Sequence, residues 1–287
     1  MTGENEKLLT TWPDGFVEAN GIRLHYWRTG NGTQPPLVLC HGYSDNGLCW
    51  TPVVRRLEGD FDVVMVDARG HGLSEAPESG YTTADRADDV AAFVQALGLE
   101  KPAILGHSMG ASTSAAAAAA YPDRFSKVLL EDPAWWDDDS PRRMRRGTTP
   151  EERAAWLEER RAQIVKQNQM SIEELIAFCR EQSPSWQEDE LAPWALSKQQ
   201  LSPNVAGGWE TKPRPWTEIA SAFVVPTLLI TADTEKGGIV TQEIAGAAQA
   251  LNDRIEVVHL PEAGHNIRRE AFEAYVEAVY AFLMRGS

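Results

Sequence analysis

Cysteine is scarce in this chain: Cys40, Cys49 and Cys179 are the only three among 287 residues, an odd number with no CxxC pair. That usage argues against a disulfide framework and a cysteine-ligated zinc site, and it fits a reducing compartment. No apolar run approaches the roughly 18 residues of a membrane-spanning helix. The segment Met1 to Leu8 is polar and acidic rather than signal-like, so the expectation is a cytoplasmic protein with no membrane partner. Positive charge is also in short supply. With 27 Lys and Arg against 42 Asp and Glu, the net charge of −15 opposes attraction to phosphate backbones, and no nucleic-acid partner is expected. The one basic run, Arg142-Arg143-Met144-Arg145-Arg146, closely follows Asp137, Asp138 and Asp139 and reads as a solvated face. The terminal Arg285-Gly286-Ser287 is given no function.

A composition 43% hydrophobic is ample for one substantial core. The most informative stretch is Ala103-Ile104-Leu105 followed by Gly106-His107-Ser108-Met109-Gly110 and then an alanine-rich segment. This GxSxG sequence sits where a strand meets a helix. A turn that sharp strains the serine backbone and needs small residues two positions before and two after. It exposes the Ser108 hydroxyl and aims the Met109 amide at the first helical turn, where unpaired N–H groups favour developing negative charge. The bland alternative is an ordinary surface serine in a glycine-rich turn, and the flanking strand and helix argue against it. The six alanines Ala115 to Ala120 read as a helix packed closely behind this turn rather than as low complexity.

Three further strand ends carry motifs. Pro36-Leu37-Val38-Leu39-Cys40 runs into His41-Gly42-Tyr43, and Asp62 to Asp67 runs into Ala68-Arg69-Gly70-His71-Gly72-Leu73-Ser74. Glu256-Val257-Val258-His259-Leu260 leads into Pro261-Glu262-Ala263-Gly264-His265-Asn266. With these motifs in this order, from about Phe16 to Leu283, the chain resembles the α/β-hydrolase superfamily, in the branch with an HGx oxyanion loop and a DxRGHGxS turn. The pattern of alternating strands and helices, with a two-residue Asn20-Gly21 hairpin signal near the start, leads to the same fold class. The expectation is a mostly parallel central sheet with antiparallel first strands, helices on both faces, and a helical cap inserted after strand 6. Residues 1–132 and 224–287 would form the core domain and 133–223 the cap.

The insertion differs in composition, carrying seven of the ten tryptophans and eight of the seventeen prolines. Thr149-Pro150-Glu151-Glu152 and Ser171-Ile172-Glu173-Glu174 match capping boxes, and Ser185 before Trp186 to Glu190 reads as a third helix start. Trp156, Trp186, Trp194, Trp209 and Trp216 read as anchors of the cap, whereas Trp135 and Trp136, which directly follow a sheet edge, are candidates for substrate contact together with Gly42. So aromatic an insertion favours apolar, uncharged acyl compounds.

A serine hydroxyl needs a base. Of six histidines, His41, His71 and His107 belong to motifs with other jobs, and His25 and His259 lie within strand patterns. His265 remains, in a glycine-containing loop after the last strand, where the α/β-hydrolase pattern puts its histidine. The resemblance further implies an oxyanion hole from the Tyr43 and Met109 amides and no metal or organic cofactor. For the acid there are three candidates. Glu235 stands at the commonest offset, with Asp233 beside it; a variant of the fold takes the acid from the preceding strand, whose end carries Glu131 and Asp132. Gly110-Ala111-Ser112-Thr113, Tyr121-Pro122-Asp123-Arg124 and an acid directly after the next strand are similar to the zearalenone-type lactonases, in whose pattern the acid falls at Asp132. The reading is therefore a serine hydrolase of apolar carboxylic esters or lactones, with Ser108, His265 and Asp132 as its triad. A serine rather than an aspartate at the elbow argues against dehalogenase and epoxide-hydrolase chemistry. A carbon–carbon bond hydrolase, a cofactor-free perhydrolase and a small-molecule receptor on the same fold stay open.

Overall fold

The computed structural model describes residues 12–136, 149–208 and 214–286. Trp209, the basic run 142–146, the acidic run 137–139, the N-terminal residues 1–8 and Ser287 lie outside the described residues. Eight strands form one sheet: β1 (Asp14–Ala19), β2 (Ile22–Arg28), β3 (Pro36–Cys40), β4 (Asp62–Val66), β5 (Ala103–His107), β6 (Lys127–Glu131), β7 (Thr227–Ala232) and β8 (Ile255–Leu260). Their order is β1-β2-β4-β3-β5-β6-β7-β8, with β1, β2 and β4 paired antiparallel and every later pair parallel. Asn20 and Gly21 have φ of 50° and 75°, the two left-handed positions that a type I′ hairpin turn needs.

The middle strands β4, β5, β6 and β7 are buried along their whole length, as strands covered on both faces must be. Alternate residues supply the two layers of core. Val38, Val64, Ile104 and Leu130 face α2 (Thr83–Ala96) and α3 (Met109–Ala120), where Phe93, Ala111, Ala115 and Ala118 close the layer. Leu39, Met65, Leu105 and Ile230 face Trp50, α1 (Thr51–Leu57) and α10 (Phe272–Met284). The alanine run thus packs against the sheet directly behind the elbow.

Between β6 and β7 come α4 (Pro150–Asn168), α5 (Ile172–Gln182), α6 (Glu188–Gln200), a short 3₁₀ helix (Pro203–Gly208) and α7 (Trp216–Ser221). Both expected capping boxes are present, at Thr149 with Glu152 and at Ser171 with Glu174. The third start differs: α6 begins at Glu188 with Gln187 at its cap and no side-chain cap bond, so Ser185 does not open it. Ile164, Leu201, Val205 and Ala206 gather with Tyr81 and Tyr43 into a small apolar cluster, and α6 also packs on Gly47–Trp50 and α1. Helix α7 packs on α3 and α8 (Gln242–Leu251), so the chain is back against the core before β7 begins. Among the described residues no helix is long and apolar enough to cross a membrane.

The DxRGHGxS turn has a structural task. Asp67 accepts from the Gly47 amide at 2.6 Å, the Leu73 amide at 3.0 Å and His25 Nδ1 at 2.8 Å, so one buried carboxylate ties β2, β4 and two loops together. Burial opposes a charge on His25, but Asp67 and Asp14 outweigh it and raise its pKa. Three other histidines, His41, His71 and His107, are buried without a carboxylate bonded to the ring, and burial lowers each pKa, most strongly at His71 and His107. An unfolded chain takes up protons on all three below pH ~6.5 while the native protein resists them, at a cost of up to about 1.4 kcal/mol per pH unit for each. His25 acts in the opposite sense, leaving a net loss as pH falls from the unfolded histidine value. Urea unfolding at pH 7.5 and pH 5.5 should show lower stability at the acidic pH; equal or higher stability there would refute this account.

Candidate active site

Ser108 has φ 53° and ψ −111°, a left-handed conformation that costs a non-glycine residue about 1–3 kcal/mol. Its neighbours hold it there. The Ser108 amide donates to the Glu131 carbonyl at 2.9 Å, and the Ser108 carbonyl accepts from the Ser112 amide at 2.9 Å. A Cβ at Gly106 would lie 2.3 Å from the Gly110 oxygen, and one at Gly110 would lie 2.0 Å from the Cys40 oxygen. The motif's small residues therefore let α3 start against the end of β3. That approach brings the His41-Gly42-Tyr43 loop beside the elbow, so close that a Cβ at Gly42 would meet His107 Nδ1 at 2.6 Å. Met109 opens α3, where an amide has no acceptor within its own helix.

His265 lies in the loop between β8 and the short helix α9 (Ile267–Glu270). His107 Nε2 donates to the His265 carbonyl at 3.0 Å, fixing the loop against the elbow strand. On the imidazole, Nε2 lies 2.9 Å from Ser108 Oγ and Nδ1 lies 2.6 Å from Asp132 Oδ2. With Nδ1–H given to the carboxylate, Nε2 is left as the acceptor for the serine proton. The His265 side chain is 26% exposed and Asp132 is fully buried, so the chain of bonds runs from an accessible end to a dry one.

Asp132 follows β6 at φ 44°, and its carboxylate accepts from the Ile239 and Val240 amides at 2.8–3.0 Å. Those amides come from the loop after β7. The same loop carries Asp233 and Glu235, which do not reach His265: Asp233 Oδ1 accepts the Glu235 amide at 2.9 Å, and Glu235 is exposed. Of the three candidate acids, only Asp132 touches the imidazole. Glu131, one residue earlier, points the other way, and its Oε1 accepts the Arg268 amide at 3.0 Å.

Of the two roles open to Trp135, core anchor and substrate contact, its surroundings match the first. It is 2% exposed and stacked on Trp216 at 5.7 Å and Phe223 at 6.5 Å, within the core layer behind α3, so its area anchors the chain and does not face an open cleft. Trp136 beside it is half-buried. Among the described residues, no group of three or more His, Cys, Asp or Glu side chains converges to hold a metal ion.

Sequence reasoning missed a buried ionic cluster beside the site. Asp45, three residues past Gly42, lies 2.9 Å from Arg268, 3.2 Å from Arg269 and 3.6 Å from Lys198; Arg269 Nε in turn donates to Glu190 at 2.9 Å. Burial alone would raise the Asp45 pKa, yet Arg269, Lys198 and Arg268 together hold it far below the usual carboxylate range. The adjacent Arg268-Arg269 pair, three and four residues past His265, was the available signal.

A model of the alpha/beta hydrolase fold family matches residues 35–268. The chain belongs to that family and is a hydrolase of the α/β fold. It is 30% identical over 94% of its length, and 96% of the relative's, to an N-formylmaleamate deformylase of Pseudomonas putida. Over 116 residues it is 39% identical to a 2-(acetamidomethylene)succinate hydrolase of Mesorhizobium japonicum, a match spanning 40% of this chain and 41% of that relative. Among solved structures, the crystal structure of an E-2-(acetamidomethylene)succinate hydrolase superposes with a TM-score of 0.76 at 25% identity, covering 96% of this chain and all of the other.

If Asp132 orients the imidazole, Asp132→Asn should leave a folded protein with hydrolytic kcat lowered about 10⁴-fold, because an amide favours the wrong tautomer. Asp233→Asn and Glu235→Gln should stay near wild type. Steady-state kinetics of the three variants side by side checks this, and near-wild-type turnover in Asp132→Asn rejects the assignment.

Proposed function

We propose that the protein is a serine hydrolase that cleaves carboxylic esters, lactones included, through an acyl-enzyme on Ser108. The observation that carries this reading is the unbroken chain of bonds from Ser108 Oγ through both His265 nitrogens to Asp132. His265 Nε2 takes the hydroxyl proton as Oγ attacks the carbonyl carbon, and Asp132 stabilises the imidazolium that results. The oxyanion is met by the Tyr43 and Met109 amides, the second carrying the favourable end of the α3 dipole. Collapse of the tetrahedral adduct expels the leaving group, protonated by His265. Water, deprotonated by the same imidazole, then releases the acid and restores Ser108. The Trp-rich insertion would act as a cap over this centre, with Trp136 beside the acyl group.

Where the tryptophans led to an expectation of uncharged acyl compounds, one residue favours a substrate that is charged. Arg160, on α4, places its guanidinium 5.4 Å from the Tyr43 ring centroid and donates from Nη1 to Gln163 at 2.9 Å. Its Nε is shielded from solvent and meets no acceptor among the described residues. An arginine with a buried donor to spare, beside the oxyanion loop of so acidic a chain, suits a substrate that carries its own carboxylate near the scissile carbonyl. The names of the two relatives, an N-formylmaleamate deformylase and a 2-(acetamidomethylene)succinate hydrolase, specify substrates that bear carboxylates and favour the same reading. They also make acyl–nitrogen bonds worth testing beside esters.

Two measurements test these statements. A fluorophosphonate probe should label wild type at Ser108 alone, and Ser108→Ala should stay folded while losing several orders of magnitude in p-nitrophenyl ester turnover. Retained turnover in that variant rejects the reaction. For the substrate, Arg160→Gln should lower kcat/KM for p-nitrophenyl hemisuccinate about ten- to hundredfold and spare p-nitrophenyl butyrate, the loss expected for one charged hydrogen bond. Equal losses on both esters reject the carboxylate.

A further inference from the structure

The segment after the HG pair is held in an unusual way. Ser44 has φ 78°, and the Asp45 amide closes the turn onto the Gly42 carbonyl at 3.1 Å, so Tyr43 sits inside a tight left-handed bend. Nothing in the bend itself favours that shape, since Ser44 is not glycine. Its partners come from a distant helix. The Ser44 carbonyl accepts from Ser197 Oγ at 2.9 Å and from Lys198 Nζ, while the Ser44 hydroxyl lies 3.0 Å from Lys198 Nζ. Asp45 is 3.6 Å from the same ammonium, and Asn46 Nδ2 donates to Gln200 at 2.8 Å. Three consecutive loop residues are thus tied to three residues at the end of α6.

Lys198 is the centre of this arrangement. It is 3% exposed, its ammonium also faces the Trp194 ring at 4.5 Å, and its donors are used on Ser44, Asp45 and Ser197. Arg269 links Asp45 back to α6 through Glu190, and Arg268 links it to Glu131 at the end of β6. Three anions face three cations in this buried group, so removing one cation leaves an uncompensated carboxylate. Without Lys198, Asp45 keeps Arg268 and Arg269, but Ser44 loses the ammonium that holds both its carbonyl and its hydroxyl.

We propose that Lys198 is a positioning residue for the oxyanion loop: by holding Ser44 and Asp45 it fixes the bend that presents the Tyr43 amide, so the oxyanion hole is complete only with α6 docked. The inference rests on the serine-hydrolase reading, in which that amide receives the oxyanion. Lys198 touches no reacting atom. Its loss therefore falls on the transition state, where the amide matters, and not on ground-state binding.

The test compares Lys198→Met, Lys198→Arg, Ser197→Ala and, as a surface control on the same helix, Glu188→Gln. Lys198→Met should lower kcat and the rate of fluorophosphonate labelling in parallel, by about ten- to hundredfold, as a displaced oxyanion donor does. KM and inhibition by the product acid should stay within about twofold. Lys198→Arg should recover part of the loss, Ser197→Ala should show a smaller loss of the same kind, and Glu188→Gln should match wild type. Hydrogen exchange provides a readout independent of activity: amides 43–46 should exchange faster in Lys198→Met while α6 keeps its protection. Wild-type kcat and labelling in folded Lys198→Met overturn the proposal, as does a loss confined to KM. If Lys198→Met does not fold, Ser197→Ala decides, and wild-type kcat with unchanged exchange there overturns it equally. A wild type that neither labels nor turns over esters refutes the hydrolase reading instead, and the exchange comparison still decides whether Lys198 holds the loop.

Discussion

A single methyl group at position 110 would sit 2.0 Å from the carbonyl oxygen of Cys40, and the geometry of the site descends from that clearance. With glycine there, the first turn of α3 rests on the end of β3. The loop leaving β3 must then pass beside the elbow, and the loop leaving β8 is pinned to the same place by the bond from His107 to the His265 carbonyl. Three loops from non-adjacent parts of the sequence meet because parallel strands deliver their carboxyl ends to one edge of the sheet. The helix dipole and first-turn amides of α3 come to that edge as part of the same packing.

The meeting is strained, and the strain is local. Of five non-glycine residues with positive φ among those described, three lie at the site: Ser44, Ser108 and Asp132. At about 1–3 kcal/mol each, such conformations persist only where the surroundings leave no relaxed alternative. The surroundings differ in kind. Ser108 is held by β6 and by its own helix, and Asp132 by the amides of Ile239 and Val240. Ser44 depends on side chains of α6. Two of the three are therefore built into the sheet, and the third relies on a helix from the insertion between β6 and β7.

This difference accounts for what was legible in the sequence. Ser108 and His265 could be read because each occupies a short motif whose backbone demands show as glycines at fixed spacing. Asp132 was one of three open candidates, since period-two alternation separates it from Glu131 but says nothing of where the loop after β7 goes. The ionic cluster left only one trace in the sequence, the adjacent Arg268-Arg269 pair, and that pair does not name its partners. Asp45 and Arg268 are 223 residues apart, and a charged residue in isolation reads as solvent-facing unless its partner is known. Trp135 was open for the converse reason: its place after a sheet edge suits a cleft or a core equally, and the stacking with Trp216 and Phe223 is not visible in the sequence.

The cluster also changes how the insertion is understood. A cover held only by apolar contact could shift over the sheet with modest loss, since such contacts are non-directional. Here α6 contributes Glu190 and Lys198 to a closed group of three anions and three cations, each nearly or fully buried, with Arg268 stacked 4.5 Å from Trp50 and Arg269 4.2 Å from Trp186. Buried charges tolerate little displacement, because separating any pair leaves both desolvated without compensation. The helix is therefore registered against the core by electrostatics while its apolar faces supply the bulk of the contact. Glu131 joins this register at the residue before Asp132, and Arg268 joins it three residues after His265. Asp132, His265 and the His41-Gly42-Tyr43 loop each stand within a few residues of the same balanced cluster, which ties the position of α6 to all three.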